Sequence, residues 1–339
     1  MKMDQAWEAV LRCNGCGQSR FDFSGYEHVD SLCTGLIRCT QCAIEWRFER
    51  GVLVTLQNQD RSLSRTDARN QVVFPPTWEI APEDYNSVKY SEEFEIYSAR
   101  DGAYVGQTFL DAACGSGRLM EKWEKFGCET IVFLDVSDAV FLAVERYRKS
   151  FRSKFRALFL KANIKDMPIK DKCVFAAVSN AAIHHTDQQE KAVTELLRVS
   201  RAESMIAVVT EKTLIGKIWI SFNILGPIIN RITAPKAFLL IATVMARAAQ
   251  ATIYLLHYTG LAGLTSARDT FANLVRDPAN FKKLRYNMLD LLTSPFYIKH
   301  PDEFYFQVAK DCGFRVTDHR TSSDKDYYFF AAETPDPTG

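Results

Sequence analysis

The feature of the sequence that most constrains the fold is an apolar run that passes directly into a turn of small residues. Residues 109–112 read Phe-Leu-Asp-Ala, and residues 113–117 read Ala-Cys-Gly-Ser-Gly. Residues with little or no side chain allow a backbone to approach a ligand closely, and free N–H groups at the start of a following helix favour the polar end of that ligand. A strand, such a turn and a helix are typical of a site for a nucleotide-type cofactor, although a short glycine loop alone is a weak signal.

A second apolar run supports this interpretation. Residues 131–134 read Ile-Val-Phe-Leu and end in Asp135, which lies 24 residues after Asp111. A carboxylate at the end of a strand can accept hydrogen bonds from both hydroxyls of a ribose. We therefore expect Asp135 and the glycine turn to bind the same cofactor.

Further segments follow in a fixed order. They are residues 162–168 (Ala-Asn-Ile-Lys-Asp-Met-Pro), the apolar run 174–180 with His184 and His185 after it, and residues 195–199 (Glu-Leu-Leu-Arg-Val). Together with D-x-x-x-G-x-G at 111–117, they resemble the class I (Rossmann-like) S-adenosylmethionine-dependent methyltransferases, particularly the branch that contains ubiquinone and menaquinone biosynthesis enzymes. The resemblance covers roughly 109–210 and resumes near residue 300. A dehydrogenase is the competing interpretation of the glycine loop taken alone.

The resemblance implies S-adenosylmethionine as the cofactor, and it assigns the residues that bind it: Asp111, Ala113, Gly115, Gly117, Asp135, Val136, Asn163, Ile164 and Asn180. Two of these positions depart from the family pattern. Ala113 replaces the first loop glycine, which a backbone with negative φ accepts. Asn163 replaces the usual acidic residue at the adenine edge, and its amide can donate and accept hydrogen bonds without carrying charge.

The order of elements predicts an α/β fold. Strands and helices alternate from residue 109, which indicates a parallel sheet with helices on both faces. The resemblance implies a seven-stranded sheet that closes with an antiparallel hairpin at 314–316 and 327–332. Ligands of such sheets bind outside the carboxyl ends of the strands. That rule predicts one rim that collects the following residues: Asp111, Asp135, Asn163, Asn180 and His184.

The expected chemistry follows from the cofactor. A sulfonium methyl group is already activated, so the protein must align the nucleophile, exclude water and, where necessary, remove a proton. His184 and His185 follow the fourth core strand, and histidine titrates near neutrality. Both are candidate catalytic bases, with loop hydrogen bonding as the alternative role.

Two C-x-x-C pairs near the start of the chain predict a metal site. Cys13 and Cys16 form the first pair, and Cys39 and Cys42 form the second. Four thiolates complete a closed tetrahedral Zn²⁺ site of the structural kind, whereas two redox dithiols would need a thioredoxin-like context that the sequence lacks. The short strands around the pairs resemble zinc ribbons that activate tRNA and protein methyltransferases, or that are fused to ribosomal RNA and small-molecule methyltransferases. Cys33 lies between the pairs without a partner pattern.

The sequence divides into five segments. They are a zinc ribbon at 1–57, a linker at 58–84, a methyltransferase core at 85–210, a helical lid insertion at 211–299, and a closing helix and hairpin at 300–339. The apolar runs of the insertion are shorter than the about 20 residues of a transmembrane helix. An apolar lid favours a greasy substrate or a homo-oligomer interface, with peripheral membrane contact as a third interpretation. The resemblance adds Asn287, Tyr297 and His300 as candidates to line the pocket, with helix capping or packing as the stronger interpretation of Asn287.

Charge and cysteine content narrow the remaining classes. The chain has 42 basic and 41 acidic residues, so its net charge predicts no partner. Ten basic residues at 146–172 are a local exception, and a solvated face explains them better than a nucleic-acid surface because aromatic residues are not interleaved in an RNA-module pattern. The start lacks the apolar core of a signal peptide, and nine cysteines then predict a reducing, cytoplasmic location.

The sequence thus predicts a methyltransferase that acts on a small, apolar or lipid-like biosynthetic metabolite by in-line transfer to oxygen, nitrogen or carbon. Two other functions stay open. An RNA base methyltransferase would use the ribbon to hold structured rRNA or tRNA, and its affinity would depend strongly on salt. A non-catalytic scaffold would keep the methyltransferase fold without turnover.

Overall fold

The structure is a computed structural model. It describes residues 3–29, 32–56, 64, 66–67, 71, 95–210, 212, 240–248, 251, 285, 298–322 and 325–333. Most of the predicted linker and lid, with Asn287 and Tyr297, lies outside the described residues.

Twelve strands account for most of the described fold. They are β1 (Phe21–Asp22), β2 (Tyr26–Val29), β3 (Leu32–Cys39), β4 (Glu45–Glu49), β5 (Val52–Val54), β6 (Thr108–Ala112), β7 (Thr130–Asp135), β8 (Arg156–Lys161), β9 (Val174–Asn180), β10 (Ser200–Val209), β11 (Phe314–Thr321) and β12 (Lys325–Ala332). The helices with described bounds are α1 (Met3–Val10), α2 (Met120–Lys125), α3 (Ala139–Ser150), α4 (Gln189–Val199) and α5 (Asp302–Asp311), together with short 3₁₀ turns at Ser98–Arg100 and Ile183–His185. Residues 240–248 are also helical.

All twelve strands belong to one mixed sheet. Its order is β1-β3-β4-β5-β8-β7-β6-β9-β10-β12-β11, and β2 pairs with β3. The block from β5 to β10 is parallel, whereas β12 is antiparallel to both β10 and β11. The predicted α/β fold and closing hairpin are confirmed. The expected count of seven is wrong for the whole sheet, because the five N-terminal strands continue it beyond β8.

The continuation depends on β5, which pairs with β4 on one side and with β8 on the other. Val52 lies opposite Phe159, and Leu53 lies opposite Leu160. Just past β5, the backbone N–H and the hydroxyl of Thr55 both donate to the carbonyl of Lys161, at 3.2 Å each. The predicted ribbon is therefore joined to the core by sheet hydrogen bonds and not only by a linker.

The sheet separates two hydrophobic layers. Alternate residues of β7 point to opposite faces, so Ile131 and Phe133 pack in one layer while Val132 and Leu134 pack in the other. The second layer extends into the N-terminal segment, where Trp7 of α1 packs edge-on against Phe48, with ring centroids 5.5 Å apart. The N-terminal segment and the core thus share one hydrophobic interior.

The described part of the insertion is short. In the regions that the structure describes, no helix has the length and hydropathy needed to cross a membrane. The helical residues 240–248 expose Leu240 and Val244 to solvent, with exposed fractions of 66% and 60%. These side chains are four residues apart and therefore lie on the same face of the helix.

We expect Leu53→Ala to destabilise the entire fold, because Leu53 is fully buried in the strand that joins the two parts of the sheet. Truncation of a buried leucine costs about 2–5 kcal/mol. Leu36→Ala is the matched control, since Leu36 of β3 is 48% exposed and its truncation should change stability by about 0.5 kcal/mol or less. Urea unfolding followed by both far-UV and tryptophan signals measures the effect. Two separate transitions, with only one shifted, would contradict a shared interior.

Candidate functional site

The glycine turn leaves β6 through alternating left-handed residues. Ala113, Gly115 and Gly117 have φ of 65°, 54° and 69°. The expectation of a negative φ at Ala113 is wrong, because the turn needs a left-handed residue at this position whichever side chain occupies it. At Gly117, a Cβ would lie 2.4 Å from the Cε of Met120, so only glycine fits without displacement.

The sequence suggested that the turn leads directly into a helix. In the structure, the helix begins later. Residues 115–119 form turns, and α2 begins at Met120. Positive φ at Gly115 and Gly117 is incompatible with a right-handed helix, which explains the delay. The backbone groups closest to the strand end are therefore those of the turn itself.

Asp135 at the end of β7 fixes the turn. Its Oδ2 accepts a hydrogen bond from the backbone N–H of Gly115 at 2.8 Å. Its Oδ1 accepts from the backbone N–H and the hydroxyl of Ser137, at 2.8 and 2.6 Å. Burial raises the pKa of this carboxyl, and the three donors oppose that shift. A carboxylate has about four lone-pair sites, so Asp135 retains capacity to accept from a ligand hydroxyl. The next residue, Val136, is half-buried.

Asp111 lies in β6, where it is buried beside α2. The indole N–H of Trp123 donates to its Oδ2 at 2.7 Å. Burial raises the pKa of Asp111 to about 7, against the effect of the Trp123 hydrogen bond, and the charge of Asp135 adds to the rise. Sequence patterns did not indicate Trp123, because its position on the first core helix carries no local mark of a site residue.

An aromatic bridge connects Asp111 with the end of β9. The hydroxyl of Tyr97 donates to Oδ1 of Asn180 at 3.0 Å. The ring of Tyr97 packs edge-on against Trp123, with centroids 5.3 Å apart. The predicted ligand Asn180 is therefore held in one orientation by a side chain that precedes β6.

Asn163 follows β8 and is buried in a polar cluster. Its Oδ1 accepts from the backbone N–H of Lys165 at 3.0 Å, and its amide donates to Oδ2 of Asp67 at 3.1 Å. The ammonium of Lys165 lies 2.8 Å from both Asp67 and Asp187. Ile164 is half-buried and packs against the hydrophobic interior. Sequence patterns did not indicate Asp67, which is 96 residues from Asn163.

The two histidines after β9 are buried side by side, with ring centroids 4.2 Å apart. Nδ1 of His184 accepts from the backbone N–H of Val209 at 3.3 Å, and the carbonyl of His184 accepts from Ile298 at 2.9 Å. Burial lowers the pKa of His184 well below its usual value, and nearby positive charges add to that effect. His184 is thus neutral at neutral pH and joins β10 to the segment before α5. His300 stacks on Phe304, with centroids 4.1 Å apart.

The four cysteines of the two C-x-x-C pairs converge. Their sulfurs all lie within 4.8 Å of one another, with Cys13 to Cys42 at 3.5 Å and Cys16 to Cys39 at 3.6 Å. Tetrahedral zinc with Zn–S bonds of about 2.3 Å places sulfurs about 3.8 Å apart, so the geometry fits that ion. Cys33 stays outside the cluster and contacts the hydroxyl of Tyr26 at 3.0 Å.

A second group of potential metal ligands contains its own cations. Asp302, His319 and Asp326 approach one another within 4.8 Å. The ammonium of Lys212 lies 2.7 Å from Asp302, and that of Lys299 lies 3.0 Å from Asp326. These lysines flank the insertion and supply the positive charge of the group, so we assign no metal there. The group attaches both ends of the insertion to the closing elements.

Comparisons with known proteins concern the central part of the chain. Residues 110–208 match the family model described as "Methyltransferase domain". Malonyl-[acyl-carrier protein] O-methyltransferase from Pectobacterium atrosepticum is 32% identical over 108 residues, which are 32% of this chain and 40% of that protein. The protein of the same name from Buchnera aphidicola is 28% identical over 99 residues, 29% of this chain and 37% of its own length. The chain thus spans about two fifths of the curated relatives it matches.

Among solved structures, the chain is similar to magnesium protoporphyrin IX methyltransferase from Synechocystis PCC 6803, which was solved with bound SAH. The identity is 11% and the TM-score 0.43, over 75% of this chain and 86% of that one. The family match and the observed strand order identify the central α/β unit as a methyltransferase domain.

We expect Ala113→Gly to stabilise the protein, because alanine in the left-handed region costs about 1–2 kcal/mol and glycine does not. The greater entropy of an unfolded glycine offsets part of this gain, which leaves about 0.5–1 kcal/mol. The matched control is Ala112→Gly in β6, which should destabilise by about 1 kcal/mol. Chemical denaturation measures both changes, and equal destabilisation by the two substitutions would contradict the left-handed backbone at residue 113.

Proposed function

We propose that this protein is an S-adenosylmethionine-dependent methyltransferase that acts on a small, apolar or lipid-like biosynthetic metabolite. The observation that carries the proposal is the contact between Asp135 and the backbone N–H of Gly115 at the carboxyl edge of the parallel sheet. It brings a strand-end carboxylate and a left-handed glycine turn together, as binding of a ribose and its attached polar group requires. The methyltransferase family match to residues 110–208 supports the same reaction class.

The proposed cofactor residues are those that the resemblance assigns at this rim. Asp135 and Val136 would hold the ribose, and the turn from Ala113 to Gly117 would approach the methionine portion. Asp111 lies in β6, before the turn, and would act on the cofactor site indirectly through its contact with Trp123. Asn163, Ile164 and Asn180 complete the proposed set.

The proposed substrate class is supported by the insertion. The helical residues 240–248 present Leu240 and Val244 to solvent, and an apolar face of this kind suits contact with a greasy molecule. The curated relatives are named for O-methylation of a malonyl group on acyl-carrier protein, which is a biosynthetic acyl substrate. The same face also suits a homo-oligomer interface.

The structure disfavours an RNA substrate. Several basic residues of 146–172 are already paired with acidic side chains: Lys154 with Glu124, Arg156 with Glu129, Lys161 with Asp138, and Lys165 with Asp67 and Asp187. A basic surface that neutralises phosphates must have cations available for them. We therefore prefer a small-molecule substrate to rRNA or tRNA.

His184 and His185 are the proposed catalytic residues, with different roles. The Nδ1 of His184 already accepts a backbone hydrogen bond, which leaves the proton on Nε2 and favours orientation of the substrate by donation. We therefore propose His185 as the base and His184 as the group that orients the substrate by donation from Nε2. In-line transfer to oxygen or nitrogen would need such a base only where the acceptor carries a proton.

We also propose that Cys13, Cys16, Cys39 and Cys42 hold a structural zinc ion. The closed set of four thiolates leaves no position for substrate. The ion would supply folding free energy to a segment whose own strands are two to eight residues long.

The cofactor proposal predicts micromolar binding of S-adenosylmethionine by calorimetry. Asp135→Asn should weaken binding about 10- to 100-fold, because loss of charged hydrogen-bond acceptance costs about 1.5–3 kcal/mol. Asp138→Asn is the matched control on the same rim. Its carboxylate is 62% exposed and paired with Lys161, so we expect less than about a twofold change.

Each outcome of that titration separates the open functions. Absence of binding by the unmodified protein would contradict the methyltransferase proposal and leave a scaffold with the same fold. Equal binding by the unmodified and Asp135→Asn proteins would place the cofactor elsewhere.

The metal proposal predicts about one equivalent of zinc per chain by mass spectrometry of the purified protein. Cys39→Ser should abolish this content and lower the thermal midpoint, because a structural ion stabilises the state that binds it. Cys33→Ser is the matched control, since Cys33 is also a buried cysteine of β3 but lies outside the sulfur cluster. Equal zinc content in the two variants would contradict the proposed ligand set.

A further inference from the structure

The polar cluster around Asn163 contains a carboxylate that no sequence pattern assigned. Asp67 belongs to the predicted linker, yet it is buried against the end of β8. We infer that Asp67 is a specificity-determining residue of the cofactor site, where it recognises the amino group of the adenine ring together with Asn163. This inference rests on the proposed function, because it concerns the base of the same cofactor.

The position of the cluster follows from strand register. β8 lies beside β7, with Lys161 opposite Asp135, and the backbone N–H of Ala162 donates to the carbonyl of Asp135 at 2.9 Å. Asn163 therefore lies on the rim at the end of the neighbouring strand. One strand spacing, about 4.8 Å, separates that strand from the one whose carboxylate is proposed to hold the ribose. The glycine turn lies on the opposite side of β7. A nucleoside with its ribose at Asp135 and its other end at the turn consequently directs its base toward Asn163.

The cluster presents the groups that adenine needs. The amide of Asn163 donates one N–H to Asp67 and has a second N–H to offer. Within the described part of the chain, the contacts of Asp67 from Asn163, from Lys165 and from the backbone N–H of Ser64 all go to Oδ2. No hydrogen bond or ion pair involves Oδ1 among those residues. A donor beside an acceptor matches the ring nitrogen and exocyclic amine of adenine, as in amide recognition of that base.

The acceptor is also locked in place. The backbone N–H of Asp67 donates to the hydroxyl of Ser64 at 3.1 Å, while the backbone N–H of Ser64 donates to the Asp67 carboxylate. The ammonium of Lys165, itself only 4% exposed, fixes Oδ2 at 2.8 Å. An ion pair and an amide hydrogen bond hold the buried carboxylate, and breaking such a pair is costly. Its orientation is therefore defined before ligand binds.

The N-terminal strands explain how a remote residue reaches this position. Thr55, immediately after β5, donates twice to the carbonyl of Lys161. The chain thus leaves the sheet at the level of the rim, two residues before Asn163 on the neighbouring strand. Asp67 lies 12 residues farther along the chain, within easy reach at up to about 3.3 Å per residue.

The test compares two ligands that differ only in the base. S-adenosylhomocysteine carries the amine, and S-inosylhomocysteine carries an oxygen at the same position. We expect the unmodified full-length protein to prefer the adenosyl ligand about tenfold or more by calorimetry, because hypoxanthine leaves the Asp67 acceptor without a donor. In Asp67→Asn the preference should fall to about twofold or less, since an amide nitrogen can donate to the inosyl oxygen.

Lys122→Met provides the matched control, because Lys122 is another buried lysine and its partner Asp101, at 2.7 Å, does not belong to the cluster around Asn163. It should lower stability without changing the ratio of the two affinities. Should Asp67→Asn fail to fold, Ser64→Ala removes the hydroxyl that orders Asp67 without changing charge, and it should reduce the ratio by a smaller factor.

The outcomes distinguish this inference from the proposed function. Binding of neither ligand by the unmodified protein contradicts the proposed function itself. Binding of both with equal affinity, or an unchanged preference in folded Asp67→Asn, overturns the assignment of Asp67 while the methyltransferase proposal stands.

Discussion

The pairing of β5 with β8 is the interaction on which the rest of this structure depends. It converts a small N-terminal sheet and a parallel α/β sheet into one structure with a shared interior. Without it, β8 would be the edge of a parallel sheet and would expose a row of unpaired backbone groups. The same pairing brings the chain to the carboxyl edge of the sheet, where the next described residues contact Asn163. A structural module thereby becomes continuous with the proposed cofactor site.

The rim contains features that are unfavourable for stability. Asp111 and Asp135 are both buried, and burial raises the pKa of each. Because the folded pKa of Asp111 is about 7 and a free aspartate titrates near 4, the folded chain retains a proton between these values that the unfolded chain releases. The contribution of Asp111 to stability therefore decreases as pH rises through that interval. Left-handed Ala113 adds strain at the same edge. Such costs are characteristic of sites whose geometry serves a ligand.

The sequence was most informative where local chemistry determines structure. The apolar runs at 131–134 and 174–180 predicted β7 and β9 closely, and cysteine spacing predicted the convergence of four sulfurs. It was least informative for contacts between distant segments. Nothing local to Asp67 indicates Asn163, and the parallel pairing of β5 with β8 joins residues as distant in the chain as Val52 and Phe159. The expected φ of Ala113 was wrong because the loop geometry, and not the residue type, sets that angle.

The edge position of the N-terminal sheet suggests what a zinc ion would do beyond local folding. An ion bound only by the folded state stabilises that state by mass action. Because Leu53 and the interior around Trp7 are common to both parts, the stabilisation extends to β8 and its neighbours. The first two strands beyond the junction are β8, which Asn163 follows, and β7, which ends at Asp135. Metal occupancy and order at the proposed cofactor rim are therefore expected to change together, through hydrogen bonds and packing that the structure describes.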